Sequence, residues 1–324
     1  MIFQGNRRGI LIKELLGRRV IAVDFHSEND IYFGALEYFF GKSKVLFLKD
    51  WESTFEITVD DFVIVNIPWD YILNLKIDLP SVKNKKELEK LILLEISQSL
   101  GVQPNEFFFD YILNPNGKAN VFIIKKEDFH AYFQVLSQRN IPEPDVVYPD
   151  FLKESLMFNK LPGYNIQFFI NKNSSGILVF NNSELMEIRY SDFNLNNLSG
   201  ILLDELGYTL YELEYLDDED LINDGKTFIT GIFNDLLSLI EREIFVTVNS
   251  MDEKIGIDSI QTIQIVTDSN ILNEFIRERY TESSLLLNRF YFQDLSKILR
   301  NYRYLGVLGL LKRGGINFGK VELV

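Results

Sequence analysis

The sequence predicts an α/β protein of two lobes with related topology and a small α/β subdomain inserted between them. Three observations carry this expectation. A strand–turn–strand–turn–strand unit over Val20–Leu48 returns in order and spacing, though not in residue identity, within "YNIQFFINKNSSGILVFNNSELMEIRYSD", more than 100 residues later. A repeated unit of this kind marks duplicated lobes. Between the two copies lie a helix, a hairpin and a second helix, over about 82–140. The chain has 324 residues, 46% hydrophobic and 25% charged, enough for two cores of ordinary globular composition.

The elements follow in order. "RVIAVDF", "DIYFGALEYFF" and "SKVLFL" read as strands, with Gly41-Lys42 turning between the latter two. "DFVIVNIPWDYILNLKIDLP" gives two more strands, broken near Pro68 and closed by Pro80. A helix runs from about Asn84 to Gly101, with Leu88, Leu91, Leu94 and Ile96 on its apolar rows. "EFFFDYIL" and "ANVFIIKK" form a hairpin through Asn114-Pro115-Asn116-Gly117. A second helix places Phe129, Phe133 and Leu136 at helical spacing. "NIPEPDVVYPD", with three prolines, reads as a link, and "FLKESLMF" as a short helix. After the repeated strands, with Asn181-Asn182 as their second turn, a helix is expected over 198–216, with Leu202, Leu206, Leu210 and Leu213 on one stripe. "KTFITG" reads as a buried strand, Leu236–Glu243 as helical and "IFVTVN" as a strand. Helical patterns occupy 271–280 and 293–302, and a last helix runs over 302–312 until Gly314-Gly315 ends it.

Charge and composition narrow the function. Lys and Arg number 33 against 47 acids, a net charge of −14, which disfavours a general nucleic-acid binder. The basic run Arg7, Arg8, Lys13, Arg18 and Arg19 is the one local exception, and its Ile12, Leu15 and Leu16 suit either a docked helix or a membrane surface. The absence of cysteine excludes disulfides, thiol nucleophiles and cysteine metal sites. With only His26 and His130, a multi-histidine metal site is strongly disfavoured. No segment reaches the roughly 20 apolar residues of a membrane helix. Asp217-Asp218-Glu219-Asp220 reads as a solvated loop, His130 as a packed or surface side chain, and Phe107-Phe108-Phe109 with Tyr111 as core packing rather than base stacking.

The ordered stretches resemble the PilM family of type IV pilus assembly proteins and the related cytoplasmic part of GspL of type II secretion. "IAVDFHS" stands where the family has strand-Asp-x-Gly-Ser. "IVNIPWDYILNLKIDLP" followed by "KELEKLILLEISQSLGVQPNEFFFDYIL" is similar to its strand pair, proline, Glu-Leu helix and "DY" strand. "NVFIIKKEDFHAYFQVLSQRNIPEPDVVYPDFLKESL" is similar to the run into the lobe junction, "FITGIF" to a Thr-Gly-Gly turn, and "YLGVLGLLKRGGINF" to the terminal helix. The resemblance implies an actin-like fold of ribonuclease H-like duplicated lobes. Its first lobe would span 1–81, the inserted subdomain 82–150, the second lobe 151–302, and a terminal helix 303–324 returning to the first lobe. It also implies a cytoplasmic protein, peripheral at the inner membrane. Such a protein binds the N-terminal tail of a PilN-like membrane-anchored partner in a groove, alongside other platform proteins and further copies of itself.

The same resemblance implies an ATP site between two lobes, gripped by two hairpin turns and a Gly-Gly turn, where backbone N–H groups approach the phosphates closely. This chain departs from that pattern at each place. Asp24 and Ser27 are kept, but His26 stands where glycine belongs; imidazole takes the space a phosphate needs, although protonated it would offer a charge. Asn171 replaces an aspartate and Asn173 a glycine, with Ser174 still able to donate. Thr230 and Gly231 keep the adenosine turn, but Ile232 replaces its second glycine. Asp24 is the candidate ligand for Mg²⁺, its alternative being a solvated strand end. The expectation is a non-catalytic platform component with no cofactor or only weakly bound ATP and Mg²⁺; the alternative is an ATP-binding or ATP-hydrolysing actin-like enzyme or switch, such as a kinase. Ile316-Asn317-Phe318 is similar to the Ile-Asn-Leu-type motif of the partner tail, a candidate mimic of it, with a final strand or frayed end as the plainer reading.

Overall fold

A computed structural model describes residues 18–39, 42–80, 84–114, 116–159, 161–191, 193–251, 254–280, 289–293, 295 and 298–316. The chain divides into two compact units, Met1–Phe158 with Tyr304–Val324, and Asn159–Arg303.

In the first unit, β1 (Arg18–Ser27), β2 (Asp30–Phe39) and β3 (Lys42–Asp50) form an antiparallel meander, and β4 (Phe62–Ile67) and β8 (Val146–Pro149) join it in parallel in the order β3-β2-β1-β4-β8. β1 and β4 are near-continuous apolar runs, as strands covered on both faces require: Val20, Ile21, Ala22, Val23, Ile64, Val65 and Ile67 are fully buried. The proline-rich stretch expected to be a link therefore supplies the last strand of this sheet. Its run Val146-Val147-Tyr148 is buried and pairs with Ile64–Asn66.

The remaining strands of this unit form a separate sheet, β5-β7-β6, from β5 (Leu73–Asp78), β6 (Phe107–Leu113) and β7 (Lys118–Lys125). Helix α1 (Lys85–Leu100) covers it. The Asn84 side chain accepts from the Lys86 N–H at its start, and Gly101 ends it at φ 67°. Its buried stripe is Leu88, Ile92 and Ile96, a strict i, i+4 row; Leu94, expected on that face, is exposed. Burying three such side chains contributes roughly 5–8 kcal/mol before chain entropy is subtracted. Helix α2 (Lys126–Gln138) follows with Tyr132 and Leu136 buried, and α3 (Leu152–Ser155) is a single turn. The last helix, α7 (Leu305–Ile316), lies on β1, β4 and α3. Gly314 is inside it rather than past its end. A side chain there would meet Val20 Cγ1 at 2.6 Å, so close helix–sheet contact and not helix termination explains this glycine. Ile316 closes the helix, and Asn317 and Phe318 lie outside the described residues, as does most of the N-terminal basic run.

The second unit repeats the first motif. β9 (Tyr164–Ile170), β10 (Ser175–Asn181) and β11 (Glu184–Ser191) form a meander, and β12 (Ile260–Thr267) pairs in parallel with β9, giving β11-β10-β9-β12. This matches β3-β2-β1-β4 strand for strand, so the duplication read from the sequence is present in the structure, as the expected fold requires. Asn182 and Ser183 both have positive φ, the signature of a tight hairpin turn.

Four sequence expectations fail in this unit. Helix α4 (Leu195–Leu206) starts earlier and stops at Gly207 (φ 78°), far short of residue 216; Leu210 and Leu213 reach the core from the turn that follows. "KTFITG" and "IFVTVN" are not strands but parts of one 32-residue helix, α5 (Glu219–Ser250). Its buried Ile240, Ile244 and Val248 recur every fourth residue and join the same core as Ile229, so packing periodicity overrides the strand preference of β-branched residues. β12 was not foreseen, and the stretch expected to be helical over 293–302 shows no helix among its described residues, only a 3-10 turn at Tyr302–Tyr304. Helix α6 (Asn270–Tyr280) is as expected.

Candidate functional site

In both units the polar groups collect at the C-terminal ends of the parallel strands, where α/β sheets place their ligands. In the first unit β1 runs on through Ser27 and the turn is only Glu28–Asn29, so His26 and Ser27 belong to the strand and not to a loop. The pairing with β2 is irregular between Phe25 and Ser27. The His26 Nε2 lies 3.2 Å from the Asp24 Oδ2, and its ring is 5.6 Å from Tyr32. Asp24 is fully buried.

Asp24 meets Lys153. The Lys153 Nζ lies 2.5 Å from the Asp150 Oδ1, 3.1 Å from the Asp24 Oδ1 and 3.1 Å from the Glu154 Oε1, with the lysine itself fully buried. The turn after β8 arranges this: Phe151, buried, takes φ 64°, an unfavourable conformation for a non-glycine residue, and so leads from Asp150 directly into α3 with Lys153 and Glu154. Asn66 fastens the strands, donating to the Phe25 carbonyl (2.8 Å) and to the Asp150 Oδ1 (2.8 Å) while accepting from the Phe25 N–H (2.6 Å). The Tyr132 hydroxyl donates to the Asn66 carbonyl at 2.8 Å.

The electrostatics follow from this geometry. Burial opposes the charge on Asp24, but Lys153 and His26 outweigh it and lower its carboxyl to about 2. Burial likewise disfavours the His26 imidazolium, yet Asp24 raises it to about 9. Lys153 is raised well above its ordinary value by Asp150, Asp24 and Glu154 against its own desolvation, whereas burial raises Glu154. The candidate metal ligand is therefore neither a solvated strand end nor an open acidic site: it is a buried carboxylate paired with two cations of its own chain.

In the second unit the β9–β10 turn is closed by its own chain. The Asn171 N–H donates to the Ser174 carbonyl (2.9 Å), and the Asn196 side chain donates to the Asn173 Oδ1 (2.7 Å). The Lys172 N–H donates to the Asp268 Oδ2 at 2.8 Å, and the Tyr211 hydroxyl to the Asp268 Oδ1 at 2.8 Å. The β12–α6 connection thus meets this turn. Beside it, the Glu214 Oε1 accepts from the Ser269 hydroxyl (2.7 Å) and the Asn270 N–H (2.7 Å) at the start of α6. Thr230 and Gly231 are absent from this arrangement. They lie inside α5, where the Thr230 hydroxyl donates back to the Lys226 carbonyl at 2.8 Å. The turn expected there does not form, because the run around it is a continuous helix.

The residues that sequence reasoning missed are Asn66, Tyr132, Asp150, Lys153, Glu154, Glu214 and Asp268. A signal was present for three of them: Asp150, Lys153 and Glu154 are the charged residues of the otherwise apolar run "VVYPDFLKESLMF". Among the minor candidates, the acidic run 217–220 is not the solvated loop expected but the start of α5, with Glu219 and Asp220 in its first turn. His130 is exposed, and the Asp218 side chain caps α5 by accepting from Asp220 and Leu221. Among the described residues no group of three ligand-type side chains is open to a metal ion, and no helix is long and apolar enough to cross a membrane.

A second feature of the first unit is a cavity of about 620 Å³ at one end of the β5-β7-β6 sheet. Leu73, Leu100, Val102, Phe107 and Ile123 line it, with Lys125, Lys126, Glu106 and Glu127 beside them. Leu73 is 44% exposed, and among the described residues β5 pairs on one side only.

No protein-family model matches the sequence, and no curated protein does. Among solved structures, the chain is similar to one from a PilM–PilN type IV pilus biogenesis complex, at 11% identity, covering 91% of this chain and 98% of that one with a TM-score of 0.64. It is also similar to the cytoplasmic domain of EpsL, an inner-membrane component of the type II secretion system of Vibrio cholerae, at 12% identity over 92% of this chain and 95% of that one, with a TM-score of 0.46. The first likeness establishes a shared fold, so the resemblance read from the sequence holds at the level of the fold.

Proposed function

We propose that the chain is a non-catalytic component of a type IV pilus or type II secretion-like assembly platform, on the cytoplasmic face of the inner membrane. It binds the extended N-terminal tail of a PilN-like membrane-anchored partner. The observation that carries this reading is the fold shared with the PilM–PilN complex along 91% of the chain. The cavity at the end of the three-stranded sheet supports it. Apolar side chains form its walls, charged residues of both signs lie beside them, and β5 is an edge strand among the described residues, the kind of edge an extended chain adds to.

The test is fluorescence anisotropy with a labelled peptide carrying an Ile-Asn-Leu segment of the partner-tail type. Wild-type protein should bind with a Kd in the micromolar range, about −8 kcal/mol. Leu73→Glu, a change at a half-exposed position, should weaken binding about tenfold, since it places a charge where an apolar side chain docks. Folded protein that fails to bind any such peptide overturns the reading.

A further inference from the structure

The fold implies a nucleotide with its Mg²⁺ at the C-terminal end of β1, and the residues present there do not fit that group. Three carboxylates converge on one point from three elements: Asp24 on β1, Asp150 after β8 and Glu154 on α3. The point is filled by the Lys153 ammonium. Its Nζ lies 2.5–3.1 Å from an oxygen of each carboxylate, ion-pair spacing, and donates a hydrogen bond to Asp150, while both Asp24 oxygens are buried and met by charge alone. Mg²⁺ instead draws its oxygens to about 2.1 Å and takes six of them, usually keeping several waters. Helix α7 packs closely on these groups. A Cβ added at Gly306 of α7 would overlap the Asp24 Oδ2 and the Lys153 Cε, and one at Gly309 would lie 2.6 Å from the Lys153 carbonyl carbon. On the α7 side of Asp24, a place that rejects a methyl group has no room for a phosphate. The second unit shows the complementary substitution, the Asp268 carboxylate accepting from the turn N–H of Lys172.

We infer that Lys153 is a tethered counter-cation, filling the carboxylate site of the first unit where an actin-like fold would hold a divalent ion, and that the chain takes no metal–phosphate group beside Asp24. His26, on the other edge of Asp24, adds a second internal cation. The unit is thus permanently loaded, and its folding needs neither Mg²⁺ nor nucleotide. Peptide binding at the cavity is a separate property, so its failure leaves this assignment standing, and the reverse holds too.

The probe is Mn²⁺ alone, followed by electron paramagnetic resonance, with thermal unfolding read by tryptophan fluorescence. Wild-type protein should show no saturable Mn²⁺ site that Asp24→Asn removes, and no Mn²⁺-dependent rise in Tm. Folded Lys153→Ala should gain one or both of two responses: a saturable Mn²⁺ site that Lys153→Ala/Asp24→Asn lacks, and a Tm raised by methylammonium but not by the bulkier tetramethylammonium. Where Lys153→Ala does not fold, Lys153→Met and Lys153→Met/Asp150→Asn decide. The single change should lower Tm by roughly 10 °C by stranding the carboxylates, and the double change should recover much of that loss. A wild-type Mn²⁺ site lost in Asp24→Asn overturns the assignment. So does a folded Lys153→Ala that answers to neither probe, or a Lys153→Met as stable as wild type.

Discussion

Replacing Gly309 by alanine should destabilise the first unit, against the usual rule that alanine strengthens a helix. A Cβ built there falls on α3: the Lys153 carbonyl carbon is 2.6 Å away and the Glu154 nitrogen 3.4 Å, with the carbonyl oxygen nearer still. These are backbone atoms, so no side chain can swing aside. Normal contact between carbons is about 3.5–4.0 Å, and α7 must therefore retreat by about 1 Å. Val307, Leu308, Leu310 and Leu311 are essentially fully buried along the same helix and would loosen together. Overpacking of this kind costs about 1–3 kcal/mol, and disturbing the Lys153 ion pairs adds to it. The helix-propensity gain returns only about 1 kcal/mol. Overpacking less the propensity gain leaves about 0–2 kcal/mol, and roughly 2 kcal/mol from the disturbed ion pairs brings the expected loss to about 2–4 kcal/mol. Gly231→Ala is the control. That glycine is inside α5 with nothing within 4 Å of an added Cβ, so the change should stabilise the second unit by about 0.5–1 kcal/mol. The assay is urea unfolding. The chain's two tryptophans, Trp51 and Trp69, both lie in the first unit, so their fluorescence reports that unit, and far-UV circular dichroism adds the helices of the second. A Gly309→Ala midpoint at or above the wild-type value, with an unchanged slope, would refute the close packing of α7 on α3.

Two further outcomes are expected. Burial lowers His26, but Asp24 outweighs it and raises the imidazole from 6.5 to about 9, with Lys153 opposing and Asp150 assisting, so its contribution is complete below about pH 6.5 and fades as pH rises through about 9. That contribution is worth up to about 3 kcal/mol. The fall in tryptophan-reported stability between those pH values should flatten in His26→Gln, and an unchanged profile would show that the imidazole carries no charge there. In the second unit, Glu214→Ala strips the start of α6 of its acceptor for Ser269 and Asn270 and should cost about 1–2 kcal/mol by circular dichroism, whereas Glu214→Gln, which keeps an oxygen, should lose less; equal losses would point to charge rather than hydrogen bonding.

Much of the architecture was written in local patterns. The strand–turn–strand–turn–strand repeat, the Asn84 and Gly101 boundaries of α1 and the hairpin after Leu113 are short-range features. Apolar alternation, caps and turn residues act over a few positions, and a one-dimensional reading recovers them. The same kind of reading miscast α5. "FITG" and "IFVTVN" contain β-branched residues that suit a strand, and only the shared core reached by Ile229, Ile240, Ile244 and Val248 decides for a helix. It also misjudged Gly314, which looks like a helix stop until Val20 is seen against it.

The site divides in the same way. The sequence by itself determined that Asp24 follows an apolar strand run and that cysteine chemistry is excluded, and its resemblance implied that glycine is missing where phosphates would approach. Only the tertiary structure decided what Asp24 does. Lys153 is 129 positions from Asp24 in the chain and Gly306 another 153 beyond it, and neither carries a local mark of its partner. A buried charge is stable only when an opposite charge reaches it at ion-pair distance. That encounter is set by how β1, α3 and α7 stack, which the pattern along the chain does not encode.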